Sequence, residues 1–411
     1  MKVLQINNVY DFGSTGKLTR DIHQGLMKRG YDSVVYYGRR YKTKDKNVHK
    51  VCSELYGKFQ NGMYRLTGIK YGGCLLSTNR IIKAISVEKP DVVHLQCLNG
   101  HFVNIYRLVH YLKKNQIPTV LTLHAEFMFT GGCSYAMECN QWESSDGCGM
   151  GKCPVYKTEL LSVFGDKSSK MWEKMYQAFS GFEKLVVVSV SPWLMNRAKK
   201  SGILAGKEHM VIKNGIDTEI FHSFSPKRIN DLREKNGFSD SDKIVFHVTR
   251  FFDCNIHNIK GGRFILDIAR KMKDVKFLIA GDFDHSINYP DNVIMLGNIL
   301  DKRQLAIYYA LSDLTVLVSK RETFSMVCAE SLCCGTPVVG FRAGGPEMIS
   351  IPQYSDFCDY ADVSALSDLI AQRLQEKKDP IISSKAISEY NTNRMIDEYL
   401  DLYQSLMNTI K

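Results

Sequence analysis

Short apolar runs that alternate with turn-and-helix stretches, and then begin again halfway along, constrain this chain more than any other feature. Residues 2–6 form an apolar run, Gly13-Ser14-Thr15-Gly16 reads as a turn, and residues 18–27 read as an amphipathic helix stopped by Gly30. A second run covers residues 33–37, and further β-rich runs follow at 92–95, 119–123 and 185–190, with helical spacing between them, as at 106–113. Alternation of this kind predicts parallel sheets covered by helices. The pattern restarts with candidate strands at 244–248, 276–280, 292–296, 314–318 and 337–341. A chain of 411 residues exceeds one ordinary core and suits two domains of about 200 residues each. The turn-rich stretch Asn214-Gly215-Ile216-Asp217, after apolar Val211-Ile212, marks the boundary. The expected organisation is an N-terminal Rossmann-like domain over 1–213 and a second over 214–390. Residues 383–411 have helical spacing, and 391–411 are expected as a closing helix able to pack back on the first domain. Doubly wound sheets bind ligands outside the carboxyl ends of their strands, so two in tandem are expected to face each other across a cleft.

Composition removes several function classes. The apolar share of 44% and charged share of 24% are those of a globular protein. No apolar run approaches the roughly 18 residues of a spanning helix, and the segment Met1-Lys2-Val3-Leu4-Gln5-Ile6-Asn7 is too short for a signal-peptide core. A cytoplasmic location is therefore expected. A net charge of +11 can attract nucleic acid, anionic lipid or phosphorylated small molecules. The basic stretch Arg39, Arg40, Lys42, Lys44, Lys46 and Lys50 reads as a solvated loop or as a patch for an anionic membrane surface. No nucleic-acid motif accompanies the charge, so no nucleic-acid partner is expected.

The densest chemistry lies in residues 320–339. Glu322 follows the strand 314–318 and so sits on a loop at its carboxyl end. Residues 323–332 then read as a helix closed by Gly335. Free amides at that helix start suit phosphate oxygens or sugar hydroxyls. Glu330, about two turns in, can accept from a vicinal diol through charge-assisted bonds of about 1.5–3 kcal/mol each. Two glutamates eight apart also occur in ordinary surface helices, so the spacing alone is weak. Gly13-Ser14-Thr15-Gly16-Lys17 superficially imitates a nucleotide-binding P-loop. However, Asp11 occupies the first glycine's place and Leu18 the hydroxyl's, so that reading fails. His124 closes the strand 119–123, while His94, Asn99 and His101 are weaker candidates that serve structure equally well. Cys133, Cys139, Cys148 and Cys153, four of the 12 cysteines, crowd into an insert at about 131–154. Four thiolates suit structural zinc, although tight Cys-x2-Cys knuckles are missing; unligated thiols and disulfides stay open beside it.

The longer string is more specific. Glu322-x7-Glu330, then Gly335-Thr336-Pro337-Val338-Val339 and Gly344-Gly345-Pro346-Glu347-Met348-Ile349, resembles the donor-binding signature of retaining family-four glycosyltransferases. Lys213-Asn214-Gly215-Ile216-Asp217-Thr218, Ile279-Ala280-Gly281-Asp282 and Leu311-Ser312-Asp313 fit the same family in order. The resemblance implies the GT-B fold, an α/β architecture of two Rossmann-like doubly wound domains facing across a cleft. It implies Glu322 at the donor sugar, Glu330 at the ribose, and Thr323, Phe324 and Ser325 near the sugar and diphosphate. The family's diphosphate-binding arginine and lysine map to Arg250 and Lys260, the latter after a loop longer than usual. Gly13 and Gly16 map to the family's glycine loop and His124 to a histidine near the donor sugar. Asp282-Phe283-Asp284 imitates the Asp-x-Asp metal motif of the other major glycosyltransferase fold, but its flanks fit the GT-B family better, so no catalytic metal is expected. The segment from Phe129 to Tyr135 is similar to an insert in some bacterial polysaccharide-building members.

These likenesses imply transfer of a sugar from a UDP- or GDP-sugar to a saccharide or lipid-linked saccharide, with retention of configuration. The expected setting is bacterial capsule, O-antigen or exopolysaccharide assembly at the inner face of the plasma membrane, with peripheral association. A GT-B nucleotide-sugar epimerase and a zinc-stabilised nucleic-acid-binding protein are the alternatives.

Overall fold

The computed structural model describes residues 1–144, 146–149 and 153–408. The chain divides into two compact units, the first formed by Met1–Lys213 with Met395–Lys411 and the second by Asn214–Arg394.

The first unit runs β1 (Lys2–Asn7), α1 (Gly13–Lys28), β2 (Asp32–Tyr37), β3 (Val48–Lys50), α2 (Glu54–Thr67), α3 (Leu75–Glu88), β4 (Val92–Leu95), α4 (Ile105–Lys114) and β5 (Thr119–Leu123). After the insert come α5 (Ser168–Phe179), β6 (Leu185–Ser189), α6 (Pro192–Lys200) and β7 (Glu208–Val211). The seven strands are parallel, in the order β3-β2-β1-β4-β5-β6-β7. β4, β5 and β6 are buried throughout, as central strands covered on both faces must be. α1 starts at Gly13 rather than Leu18, so the glycine loop is itself the helix's first turn.

The second unit holds α7 (Pro226–Lys235), β8 (Lys243–Phe252), α8 (Gly262–Lys271), β9 (Val275–Phe283), β10 (Val293–Gly297), α9 (Lys302–Leu311) and β11 (Leu314–Leu317). It continues with α10 (Met326–Cys333), β12 (Val338–Phe341), α11 (Gly345–Ile349), β13 (Ser355–Cys358), α12 (Val363–Gln375) and α13 (Ile382–Tyr390). Its six-stranded parallel sheet has the order β10-β9-β8-β11-β12-β13. Phe264, Ile265 and Ile268 of α8 bury one side of that sheet together with Leu366 and Ile370 of α12.

The final helix, α14 (Thr392–Asn408), places Met395, Ile396, Tyr399, Leu402 and Tyr403 in the core of the first unit beside Val3, Ile22 and Val188. His94 is fixed there: its Nε2 meets Thr122 Oγ1 at 2.8 Å and its Nδ1 meets Tyr403 Oη at 2.7 Å. Burial pushes its pKa down to about 3, so His94 is a neutral core residue. Among the described residues no helix is long and apolar enough to cross a membrane.

Candidate active site

Each sheet reverses its strand order once, between β1 and β4 in the first unit and between β8 and β11 in the second. Such switch points are where doubly wound sheets hold ligands.

At the second unit's switch point the loop after β8 and the loop after β11 bring Lys260 and Glu322 together, with Nζ 2.5 Å from Oε1. The side chains keep 38% and 20% exposure, so the pair contributes only about 0–1 kcal/mol to stability. Its placement is nevertheless held by backbone. Glu322 N–H donates to Ala343 O at 3.0 Å, Gly345 N–H donates to Glu322 O at 2.8 Å, and Lys320 N–H donates to Ile259 O at 2.7 Å. Glu347 in turn accepts from the amides of Ala343 and Gly344 at 3.1 and 2.8 Å, fixing the loop before α11. Glycine is required twice. A Cβ on Gly345 would lie 2.5 Å from the carbonyl carbon of Thr323, and one on Gly261 would lie 2.3 Å from Val318 O at a φ of +71°.

The long loop before Lys260 is folded by asparagine and aspartate side chains. Asp253 Oδ1 accepts from Asn255 N–H and from Asn258 Nδ2, and Asn258 Oδ1 accepts from Lys260 N–H, all at 2.9–3.1 Å. These Asx turns shorten the loop's reach, and Lys260 arrives at Glu322 despite the extra residues. The sequence reading assigned roles to none of Asp253, Asn258 and Glu347. The Asp253-x-Asn255-x2-Asn258 spacing was the available signal for the first two.

The helix after Glu322 differs from expectation. Residues 323–325 lie outside it, because Ser325 has a φ of +80° and caps α10 by accepting from Cys328 N–H. The hydroxyl of Ser325 is used in that cap, and the Phe324 ring is buried edge-on to Tyr390. Backbone groups at 323–325, more than these side chains, are therefore what this turn can offer a ligand. Glu330 lies on α10, 8% exposed, and accepts from Tyr309 Oη at 3.2 Å. Burial beside this carboxylate holds the Tyr309 phenol well above its ordinary range, so it stays a donor. Arg250 lies on β8 between Val248 and Phe251, where the pairing with β9 shifts register. It is exposed and makes no ion pair among the described residues. Asp282 ends in β9, while Asp284 caps its own turn through Ser286.

At the first unit's switch point Asn8, Gly13, Ser14, Thr15, Gly100 and His101 line a cavity of about 610 Å³ together with Arg39, Arg40 and Lys58. Gly16 packs against the 9–11 segment, and its carbonyl accepts from Asp11 N–H at 3.0 Å. The basic stretch is thus divided. Arg39 and Lys50 pair with Glu54 at 2.9 and 3.1 Å, Arg40 lies 4.3 Å over the Phe12 ring, and Lys42 and Lys44 are exposed. Burial pulls the Glu54 carboxyl up, but hydrogen bonds from Arg39, the Arg40 amide and Lys50 together outweigh it and hold the carboxyl down at about 2. His124 is half-buried at the end of β5, and burial pushes its pKa down to about 4. It is neutral at physiological pH.

The insert after β5 is anchored by Glu126. This fully buried carboxylate pairs with Arg197 of α6 and accepts from Ala136 N–H, and Arg197 lies 4.7 and 5.1 Å over the rings of Trp142 and Trp193. The sequence reading did not single out this residue. Cys133, Cys148 and Cys153 are buried and Cys139 half-buried; residues 145 and 150–152 of the insert lie outside the described residues. The Cys133 thiol donates to the Cys153 sulfur, which lowers the pKa of Cys153 and raises that of Cys133. Among the described residues no three or more ligating side chains gather as a metal site.

Comparisons with known proteins agree with this frame. The sequence model described as Glycosyltransferase Family 4 matches residues 15–220, and that described as Glycosyl transferases group 1 matches residues 228–394. A protein of Escherichia coli K12 named as a colanic acid biosynthesis glycosyl transferase, WcaC, is 23% identical over 99% of this chain and 100% of its own length. The N-acetyl-alpha-D-glucosaminyl L-malate synthase of Bacillus anthracis is 24% identical over 54% of this chain, which spans 60% of that relative's length. Among solved structures, Anabaena Alr3699/HepE in complex with UDP superposes with a TM-score of 0.66 at 16% identity, covering 98% of this chain and 100% of that one. WaaG, a glycosyltransferase involved in lipopolysaccharide biosynthesis, does so at 0.61 and 14%, covering 99% and 98%. These structural likenesses show the fold, and neither an epimerase nor a nucleic-acid-binding protein is favoured by the matches. With two family matches laid over two parallel-sheet units, the chain belongs to the family-four glycosyltransferases and is a transferase of the GT-B fold.

Proposed function

We propose that the protein transfers a sugar from a nucleoside-diphosphate donor, UDP- or GDP-linked, to a hydroxyl of a saccharide or lipid-linked saccharide, with retention of configuration. The observation that carries this reading is the Lys260–Glu322 pair at the second unit's switch point, held by three hydrogen-bonded loops. A cation fixed there before the reaction stabilises charge as it develops on the leaving diphosphate without reorganising. In this proposal Lys260 does so with Arg250, Glu322 accepts from donor-sugar hydroxyls, and Glu330, oriented by Tyr309, accepts from the ribose. The amides around residues 323–325 meet the remaining polar groups. Gly13, Gly16 and neutral His124 are assigned to donor or acceptor contacts on the resemblance alone. The leaving phosphate helps deprotonate the acceptor, and no catalytic metal takes part.

UDP is favoured by the solved complexes of HepE with UDP and with UDP-glucose. Surface-polysaccharide assembly at the inner membrane face is favoured by the names of WcaC and WaaG. Purified protein incubated with UDP- and GDP-sugars and oligosaccharide or lipid-linked acceptors tests the reading. Acceptor-dependent release of UDP or GDP, reduced about a hundredfold or more in Glu322→Ala and Lys260→Ala variants that still fold, supports it; wild-type turnover in either variant removes that residue from the mechanism. For the insert, the spacing of Cys133, Cys139, Cys148 and Cys153 supports structural zinc, whereas their placement supports a thiol pair. Metal analysis of the purified chain separates the two.

A further inference from the structure

A second cavity of the first unit, about 740 Å³, opens beside α2 and shares His101 with the cavity at the glycine loop. Its wall is apolar and aromatic, with Phe59, Met63, Ile69, Tyr64, Tyr71 and Tyr106. Arg107, Lys170 and Lys174 complete it, and among the described residues no carboxylate lines it. Tyr64 and Tyr71, 5% and 4% exposed, wall it with their rings while their hydroxyl oxygens are closed off from it, so the charge it offers a ligand is that of Arg107, Lys170 and Lys174.

The outer surface around the cavity is also out of the ordinary. Leu55, Phe59, Met63 and Leu66 are exposed at the i, i+4, i+8 and i+11 positions of α2, which places them on one stripe. Exposed Val163 and Phe164 abut its end, where Val163 N–H donates to Arg65 O at 2.9 Å. Exposed Leu75 and Leu76 abut its flank, where Leu76 N–H donates to Tyr56 Oη at 3.3 Å. A continuous apolar face of this kind, rimmed by cations, is not what a solvated helix shows.

We propose that this cavity seats a long-chain lipid phosphate, its hydrocarbon along Phe59, Met63 and Ile69 and its phosphate at Arg107, Lys170 and Lys174. The inference rests on the acceptor being lipid-linked and gives that acceptor a place in the molecule.

Calorimetric titration of the full chain with farnesyl phosphate, against farnesol and inorganic phosphate, tests it. Farnesyl phosphate is expected to bind at least tenfold more tightly than either control. A Lys170→Glu/Lys174→Glu variant should weaken it at least tenfold. Phe59→Ser, at an exposed position where folding is not at stake, should also weaken it. Equal binding of farnesol and farnesyl phosphate, no binding of either, or binding untouched by the charge reversal would overturn the inference. Stabilisation of the same samples by UDP-sugar is read separately. Donor binding without lipid-phosphate binding sinks the cavity assignment alone, and lipid-phosphate binding without donor binding sinks the donor reading alone.

Discussion

The two switch points are built on the same topology and equipped differently. In the second unit a cation and a carboxylate are locked in contact by loop-to-loop hydrogen bonds and by glycines that leave no room for a side chain. In the first unit the corresponding place is a wide basic cavity adjoining a second, aromatic one. Rigid polar geometry suits a ligand whose reacting group is always the same, such as a diphosphate. Open and partly apolar walls suit the partner that differs between relatives. On the proposed reading, the difference assigns donor chemistry to the frame and acceptor chemistry to what is hung on it.

The largest expected effect separates the units by stability. Glu126→Ala leaves Arg197 without its buried partner, and breaking such a pair costs about 3–5 kcal/mol. Calorimetry should show the first unit's transition falling while UDP-sugar still raises that of the second; a loss of donor stabilisation would break the division. Next, Lys260→Ala should reduce turnover by about 10²–10³-fold, as removal of one charge-stabilising donor commonly does, with farnesyl phosphate binding unchanged. Gly345→Ala forces Thr323 and Phe324 to move and drags Glu322 with them. A displacement near 1 Å at such a group costs about 10²-fold, read as loss of kcat in a variant that melts normally.

The smallest effect concerns acid. Burial lowers the pKa of His94 to about 3 and of His101 and His124 to about 4, all in the first unit, whereas the second holds His247 at about 4. In each case the folded value lies below the unfolded one, near 6.5. Between about pH 6.5 and 4 the unfolded chain therefore binds more protons, and stability falls as pH falls. The first unit should lose more of its melting temperature over that window than the second. Equal losses would mean that the buried histidines do not set the difference.

Much of this frame was legible in the sequence, because short apolar runs alternating with helices leave few alternatives to parallel sheets. β3 and β13 were missed for a physical reason: Val48–Lys50 and Ser355–Cys358 are edge strands of three and four residues, too short and polar to carry a pattern. The start of α10 was misplaced because the left-handed Ser325 is a turn that helix-forming neighbours conceal. Glu322 and Lys260 could be named from their motifs. The Asp253–Asn258 turns that deliver Lys260 left only their Asp/Asn spacing as a signal, and the partnership of Glu126 with Arg197 across 71 residues left none, since long-range pairs leave no periodic trace.

Calorimetric titration of UDP-sugar into the wild-type chain and into Lys260→Ala tests the central claim most directly. The account predicts saturable binding, together with thermal stabilisation of about 2.7 kcal/mol at 100 times the dissociation constant, and loss of most of that affinity in the variant. Undiminished donor binding by Lys260→Ala would contradict it.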